Sequence, residues 1–349
     1  MPMEKAKIAF VANFQYNCGS SNTLLRYYQA GEKLGYDVRV SEFGYIDDIV
    51  SSAVPVANRQ WQPDLFVIVY ESYPFLSPED LNQIYKQIPR SKRIVIDPDG
   101  KYLKPVQSKD DTNHETPDSY KYWTELYDSL SDTVLQPFLG STTTKNVKPF
   151  LYFGMGNIIQ ETDQSQKDFD LLYVGNNWYR WNDILWLTEA IAPIRNRLKR
   201  VALIGQHWSD KVMDGYEKAT YSEPAFLKRN HIETFDSTPY GHVEETMSRG
   251  LLHPVLVRPI LNEFHFVTPR MFETFVADTI PLIPVYFTHA AKLYGNAINQ
   301  LTLSGNPASV IINILDNYDK YKKLTRDIRE TLKIKHSYEK RLAQLLEFT

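Results

Sequence analysis

Short apolar runs alternate with longer segments of helical spacing along most of this chain, and that alternation is the feature that most constrains its fold. In the first half the apolar runs occupy residues 8–12, 38–40, 65–69, 94–96 and 134–135. Short runs rich in β-branched residues and separated by helices are typical of a parallel sheet covered on both faces. We therefore predict a doubly wound, Rossmann-like α/β domain for the first half.

The same alternation restarts in the second half, with apolar runs at residues 171–174, 201–204, 232–235, 255–257 and 280–285. Between the halves, residues 154–168 are polar and show no periodicity, which indicates a linker. We predict two Rossmann-like domains that face a cleft, 1–155 and 168–349. Apolar residues three and four positions apart between 311 and 328 predict two consecutive terminal helices that brace both lobes.

Charge and cysteine content narrow the class of protein. Lys and Arg number 39 against 42 Asp and Glu, a net charge of −3, so the broad positive field of a general nucleic-acid binder is absent. A local basic groove for a nucleic-acid acceptor stays open. The single cysteine, Cys18, excludes an intrachain disulfide and favours a reducing compartment. With no signal-peptide pattern and no run near the roughly 18 apolar residues of a membrane span, we expect a cytoplasmic protein.

One segment, residues 267–284, combines a helix start with charged side chains. Thr268 before Pro269 predicts an N-cap followed by proline at the first helical position, where its missing N–H costs nothing. The free N–H groups of that first turn, with Arg270 beside them, suit a diphosphate. Glu273 lies one turn further in, as either a solvated surface residue or a cleft-facing carboxylate with a hydroxyl or cation partner.

Residues 265–284 resemble the nucleotide-sugar signature of GT-B glycosyltransferases. In that signature a glutamate, seven residues and a second glutamate precede a small-residue segment and a proline-bearing strand, and Glu273 falls on the second glutamate. The string Thr-Pro-Arg-Met-Phe-Glu at 268–273 is most similar to the branch related to the spore-maturation protein CgeB. The string His-Ser-Tyr-Glu-Lys-Arg-Leu at 336–342 also resembles the closing helix of that branch.

The resemblance implies a GT-B fold and a glycosyltransferase that moves a sugar from a nucleoside diphosphate sugar to an unidentified acceptor. A UDP-sugar is the expected donor. Glu273 would accept hydrogen bonds from the ribose hydroxyls, while Thr268 and Arg270 would hold the diphosphate without a metal. His265 replaces the first glutamate of the signature. We expect it near the transferred sugar as a catalytic residue, with a buried structural histidine as the alternative.

The resemblance places further donor contacts in the loop after the first strand of the second half. Gly175 there allows a close approach of the backbone to the diphosphate, and Asn177 follows it in the same loop. Arg180 offers a fixed fork of N–H donors that suits phosphate. A surface ion pair is the alternative for Arg180.

The polar loop at residues 13–22 follows the first strand, where GT-B enzymes resembling this chain receive the acceptor. Gln15, Gly19 and Ser20 are the candidate acceptor-side residues in that loop. Simple helix-entry chemistry is the alternative for Gly19 and Ser20.

The Asp-Pro-Asp-Gly string at residues 97–100 follows a buried strand and admits several interpretations. Paired carboxylates in this pattern hold a divalent metal in GT-A glycosyltransferases, and a similar string supplies the nucleophile of haloacid-dehalogenase phosphatases. We favour a loop that faces the cleft, with Asp97 as a catalytic candidate and Asp99 on the acceptor side. A plain turn is the remaining alternative.

Three further expectations concern activity and partners. The histidines show no metal-ligand spacing, so we expect neither a structural metal nor a cofactor. The partners would be the nucleotide sugar and a small-molecule, glycan or macromolecular acceptor, and a homodimer stays open. A non-catalytic two-lobed protein that binds a nucleotide or a sugar is the alternative to the enzyme.

Overall fold

The computed structural model describes residues 5–15, 18–71, 75–102, 119–141, 146–209 and 212–348. Residues 16 and 17 of the predicted acceptor loop lie outside the described residues. Among the described residues, strands and helices follow one another in the alternating order that the sequence predicts.

A seven-stranded sheet organises the first half. Along the chain the elements are β1 (Lys7–Val11), β2 (Asn13–Phe14), α1 (Gly19–Leu34), β3 (Asp37–Ser41), β4 (Tyr45–Ile46), α2 (Asp48–Ala53), β5 (Val56–Ala57), β6 (Leu65–Val69), α3 (Pro78–Gln87), β7 (Arg93–Ile96), α4 (Ser119–Leu130), β8 (Val134–Gln136) and β9 (Val147–Pro149). The sheet order is β5-β3-β1-β6-β7-β8-β9, all parallel, and β2 pairs with β4 separately. All five residues of β6 are buried, as expected for a sheet covered on both faces.

A six-stranded sheet organises the second half. Its elements are β10 (Phe169–Val174), α5 (Trp181–Ile191), β11 (Val201–Ile204), α6 (Glu217–Thr220), α7 (Pro224–Arg229), β12 (Ile232–Phe235), α8 (Val243–Met247), β13 (Gly250–Pro254), α9 (Pro259–Glu263), α10 (Arg270–Val276), β14 (Ile280–Pro284), α11 (Ala290–Tyr294), β15 (Thr302–Leu303), α12 (Pro307–Asp316), α13 (Tyr318–His336) and α14 (Tyr338–Leu346). Four 3-10 turns complete the described elements, at Arg90–Lys92, Gln164–Gln166, Ala192–Arg197 and Asn296–Leu301. The sheet order is β12-β11-β10-β13-β14-β15, again all parallel.

The structure corrects two of the predicted elements. The strand expected at residues 255–257 is wrong, because the chain pairs earlier, in β13, and 255–257 follows as buried irregular backbone. Burial alone produces the same apolar run in either conformation, so periodicity does not separate them. The two predicted terminal helices are three, because α12, α13 and α14 are separated by breaks at Asn317 and Ser337.

The last two helices contact both halves of the chain. On α13, Arg329 donates hydrogen bonds to the carbonyl oxygens of Phe275 and Ala277, which end α10. On α14, the Tyr338 ring lies 5.1 Å from the ring of Tyr27 on α1, edge to face. The terminal helices therefore pack against both sheets' flanking helices, where they support the junction between the halves.

Candidate functional site

The carboxyl ends of the two sheets meet at the segment that leads into α10. The Val267 N–H donates to the carbonyl oxygen of Pro137, at 2.6 Å, just beyond β8. Phe266 forms an antiparallel bridge with Phe138. At the start of α1, a Cβ on Gly19 would lie only 3.2 Å from Cγ of Pro269. Residues 266–269 of the second half are thus in direct contact with the strand ends and first helix of the first half.

Arg270 and Glu273 form an ion pair at this junction. Nη1 of Arg270 lies 3.2 Å from Oε2 of Glu273, and the side chains are 17% and 14% exposed. The guanidinium lies 5.6 Å from the ring centroid of Tyr173, at the end of β10. The pair therefore lies at the carboxyl end of the second sheet, where doubly wound domains bind ligands.

Gly175 is required by the position of Arg270. With a φ of 158°, a Cβ on Gly175 would lie 2.7 Å from Nη2 of Arg270 and 2.8 Å from the Tyr173 hydroxyl oxygen. On the other side, a Cβ on Gly205 would lie 2.3 Å from the Gly175 carbonyl oxygen, and Trp208 Nε1 donates to that oxygen at 2.9 Å. A larger residue at position 175 would displace the arginine.

Burial dominates the electrostatics of Glu273. Its pKa rises to about 7, first because the carboxylate is desolvated, and the carboxylates of Glu244 and Glu71 raise it further. Arg270 and Arg26 act in the opposite direction. Arg26 reaches across from α1 to Glu244 on α8, at 2.6 Å. Carboxylates and guanidinium groups from both halves therefore converge on Glu273.

The start of α10 differs from its prediction by one residue. The helix begins at Arg270 with Pro269 in the N-cap position, and Pro269 already has a helical backbone. The prediction that Thr268 is the N-cap is wrong, because its hydroxyl caps no backbone N–H. That hydroxyl is buried and has no hydrogen-bond partner among the described residues. A buried hydroxyl without a partner leaves a position for a ligand atom to satisfy.

Asn177 and Arg180 differ in how completely their side chains are hydrogen-bonded within the protein. The buried Asn177 side chain donates to the carbonyl oxygens of His207, Thr220 and Tyr221, and its own oxygen accepts from the Arg180 N–H. Asn177 is therefore committed to holding loops together, which corrects its assignment as a donor ligand. Arg180 donates to the Trp178 carbonyl oxygen at 2.9 Å, and its Nε is buried without a partner.

An acid and a phenol lie close to Arg180. The Tyr286 hydroxyl donates to Asp183 at 2.8 Å, and burial is the main reason that the pKa of Asp183 rises to about 6. The positive charge of Arg180 opposes that rise. Arg180 therefore lies in a partly buried cluster beside the loop that follows β10, and not in the surface ion pair that was its alternative.

Asp97 is a structural residue of its turn. Its carboxylate accepts from the backbone N–H groups of Lys101 and Tyr102, at 3.0 and 2.9 Å, and from Gln136 Nε2 at 2.8 Å. The side chain is fully buried, and burial raises its pKa. The hypothesis that Asp97 is catalytic is therefore corrected, because no part of its carboxylate is accessible to a substrate.

Asp99, in contrast, lies between cations from both halves. Its carboxylate is 3.7 Å from Lys101 Nζ and 3.9 Å from Nη1 of Arg258, which precedes α9. The Arg258 guanidinium also lies 5.1 Å from the Tyr179 ring centroid. Both ion-pair distances exceed hydrogen-bond length, so these two contacts of the carboxylate are electrostatic attractions.

Two of the acceptor-side candidates, Gly19 and Ser20, lie beside a carboxylate that the sequence analysis missed. The backbone N–H of Ser20 donates to Oε2 of Glu71 at 3.0 Å, and a Cβ on Gly19 would lie 3.6 Å from Oε1. Burial and the charge of Asp99 raise the pKa of Glu71. Gln15 is exposed. The position of Glu71, two residues beyond β6, was the available signal, since polar residues at strand ends lie in the cleft.

His265 is exposed, and its ring is tilted by 32° against that of a second histidine. Its φ of 55° is uncommon for a residue with a side chain, and its ring lies 5.0 Å from that of His289. The alternative of a buried structural His265 is wrong. His289 is buried, and burial lowers its pKa to about 4, so it is a neutral imidazole at neutral pH. Sequence analysis did not single out His289, which follows β14 by five residues.

Within the ranges that the structure describes, no group of three or more His, Cys, Asp or Glu side chains is placed to hold a metal ion. No helix in those ranges is long and apolar enough to cross a membrane.

A scan against protein-family models finds no match for this chain, and a search of curated proteins finds none either. Several solved structures are similar in fold. The β-glucosyltransferase of T4 phage with UDP-glucose is 15% identical, with coverage of 99% of this chain and 98% of that chain and a TM-score of 0.56. HepE of Anabaena, also with UDP-glucose, is 10% identical over 98% of both chains, with a TM-score of 0.62.

An alpha-glucosyltransferase with UDP-glucose and DNA containing an abasic site is 11% identical, with coverage of 98% of this chain and 94% of that chain and a TM-score of 0.56. These structures are GT-B glycosyltransferases. Together with the two parallel sheets, they confirm the predicted GT-B fold.

Proposed function

We propose that this protein is a glycosyltransferase that moves a sugar from a nucleoside diphosphate sugar, with a UDP-sugar as the donor. The observation that carries the proposal is the Arg270–Glu273 pair at the junction of the two sheets. The similar structures bound to UDP-glucose support it, because their fold covers nearly this whole chain. The motif resemblance to the CgeB branch stays a prediction.

In this proposal the donor lies against α10 and the β10 loop. The carboxylate of Glu273 accepts hydrogen bonds from the two ribose hydroxyls, which supply the partners that a buried carboxylate needs. The diphosphate lies by Arg270, with the unpartnered hydroxyl of Thr268 and Nε of Arg180 as further donors. Gly175 lets the backbone of its loop lie close to the diphosphate.

Asp99 is the residue we assign to activation of the acceptor. The acceptor oxygen forms a bond to the anomeric carbon while the bond from that carbon to the diphosphate oxygen breaks, and Asp99 takes the hydroxyl proton. Charge that develops on the departing diphosphate is stabilised by the guanidinium of Arg270. His265 and His289 line the sugar, with His265 exposed to it. We propose that these steps need no metal or cofactor.

The segment 154–168 serves as the hinge between the lobes in this proposal. Within it, Glu161 is held by Arg326 at 2.6 Å and by Arg329 at 3.2 Å, both on α13. Bending between domains 1–155 and 168–349 would close the cleft over the donor and exclude water from the reaction. The acceptor is left unassigned, and both glycan and nucleic-acid acceptors belong in the first screen.

A panel of radiolabelled nucleotide sugars tests the activity. We expect at least one UDP-sugar to be hydrolysed or transferred by the wild-type protein and not by Glu273→Ala. Glu263→Ala, which removes an exposed carboxylate on α9, is the matched control and should behave as wild type. Tight nucleotide binding without turnover of any donor, with glycan and DNA acceptors present, would instead identify the non-catalytic binding protein.

A further inference from the structure

A cavity of about 220 Å³ lies between the first sheet and α14, apart from the Arg270–Glu273 pair. Its walls come from residues 138–140 and 149–151 and from Phe348, most of which have apolar side chains. The polar lining residues are Arg341, Gln344 and Glu347, all on or next to α14. The first of these belongs to the 336–342 motif, which the proposed glycosyl transfer leaves without a role.

Arg341 is a buried cation without a carboxylate partner among the described residues. It is only 4% exposed. Nη1 donates to Gln344 Oε1 at 2.8 Å, Nη2 donates to His336 Nδ1, and Nε has no partner. Burial and the nearby charge of Arg341 lower the pKa of His336 to about 4, so this partner is a neutral imidazole. The guanidinium charge is therefore uncompensated.

Two other arginines of the described chain, the buried Arg329 and the half-buried Arg26, have the carboxylate partner that Arg341 lacks. Arg329, also on a terminal helix, donates to two carbonyl oxygens and to the carboxylate of Glu161 at 3.2 Å. Arg26 is paired with Glu244. A buried charge is stable when it is paired and hydrogen-bonded, so Arg341 needs a counter-ion that the described residues do not supply.

Two lysines add positive charge at the edge of the cavity. Lys292 Nζ donates to the carbonyl oxygen of Leu139, at 2.6 Å, and Lys148 Nζ lies 5.2 Å from the ring centroid of Phe348. Neither lysine has a carboxylate within ion-pair distance among the described residues. Glu347 is the single carboxylate in the lining. Three cations against one carboxylate leave two positive charges around a small cavity.

We propose that this cavity binds a phosphoryl group, either as free inorganic phosphate or carried on a small organic molecule. A phosphate dianion neutralises the two surplus charges and offers acceptors to the unsatisfied guanidinium N–H groups. The apolar walls give room to an organic substituent. The site does not depend on the proposed glycosyl transfer and shares no residue with the donor site.

Calorimetric titration with inorganic phosphate tests the site in the Arg270→Ala protein, in which phosphate binding at the donor site is weakened. We expect this variant protein to bind phosphate saturably in the cavity beside α14. Replacing both rim lysines, Lys148→Gln with Lys292→Gln, should raise Kd roughly tenfold or more. Arg341→Gln should abolish binding, and Glu347→Gln should tighten it by removing a repulsive charge. Arg197→Gln, at an exposed ion pair with Asp316, is the matched control.

If Arg341→Gln fails to fold, the variants at Lys148 and Glu347 still test the site, because both side chains are exposed. Absence of saturable phosphate binding in the Arg270→Ala protein would overturn the proposal, as would an unchanged Kd in the double-lysine variant. A parallel titration with phenyl phosphate identifies the source of the group. Tighter binding of phenyl phosphate assigns the site to an organic phosphate, and equal binding assigns it to the free ion.

Discussion

The guanidinium of Arg270 lies 3.2 Å from the carboxylate of Glu273, within the first turn of α10 and at the contact between the two sheets. Both groups can give up this contact when a ligand binds. The guanidinium can then bind a diphosphate, and the carboxylate can accept hydrogen bonds from a pair of hydroxyl groups. The ion pair is also mostly desolvated, so its charges interact more strongly with a ligand than exposed charges would.

Replacing Asp99 should separate chemistry from donor binding. Asp99→Asn removes the proposed base, and we expect kcat to fall roughly a hundred- to ten-thousand-fold with a nearly unchanged Kd for UDP. Steady-state kinetics and calorimetry measure the two quantities. Asp97→Asn is the informative comparison, because it should lower the free energy of unfolding by about 1–3 kcal/mol through its lost turn hydrogen bonds. A larger loss of kcat in Asp97→Asn than in Asp99→Asn would reverse our assignment.

His265→Ala should lower turnover more than nucleotide affinity. The exposed imidazole is expected beside the transferred sugar rather than the base, so its removal alters kcat with little change in the Kd for UDP. His231→Ala, at another exposed histidine with positive φ, controls for backbone strain. Unchanged turnover of the His265 variant would remove it from the reaction.

Transfer should persist after metal chelation. Since arginine side chains are assigned to the diphosphate, activity in excess EDTA should match that in untreated buffer. The assay is donor turnover before and after chelation. Activity that is lost with EDTA and restored by Mn²⁺ or Mg²⁺ would contradict the metal-free step.

The elevated pKa of Glu273 predicts a pH dependence. The folded protein binds this proton more tightly than the unfolded chain, so the group's contribution to stability falls as pH rises from about 4.5 to about 7. Nucleotide binding uses the ionised carboxylate and should strengthen over the upper part of that range. We expect the ratio of UDP affinities between wild type and Glu273→Gln to rise several-fold from pH 6 to pH 8. A constant ratio would show that ionisation of Glu273 is not linked to binding.

The pattern of short apolar runs along the sequence was enough to predict the architecture. The site, in contrast, depends on contacts between residues that are far apart in the sequence. Residues 65–69 and 201–204 form strands with the predicted bounds, because each is a short apolar run flanked by polar turns. Residues 232–235 also form a strand with the predicted bounds, although only the two end residues are apolar. The pattern does not show which carboxylate of a turn points inward, so the sequence predicted a catalytic role for Asp97, whose carboxylate is buried and hydrogen-bonded within its turn. Glu71 and Arg258 were not predicted, because each belongs to the site only through contacts with residues that are far away in sequence.

The most direct test of the account compares UDP with its 2′,3′-dideoxy analogue in binding to wild type and Glu273→Ala. Each hydrogen bond to a charged acceptor contributes about 1.5–3 kcal/mol, so the Ala variant should bind UDP roughly ten- to a thousand-fold more weakly, and Glu273→Gln should lose less. The penalty should shrink for the dideoxy nucleotide, whose partner hydroxyls are gone. Equal penalties for the two nucleotides, or wild-type affinity of the Ala variant, would contradict the assignment of Glu273 to the donor ribose.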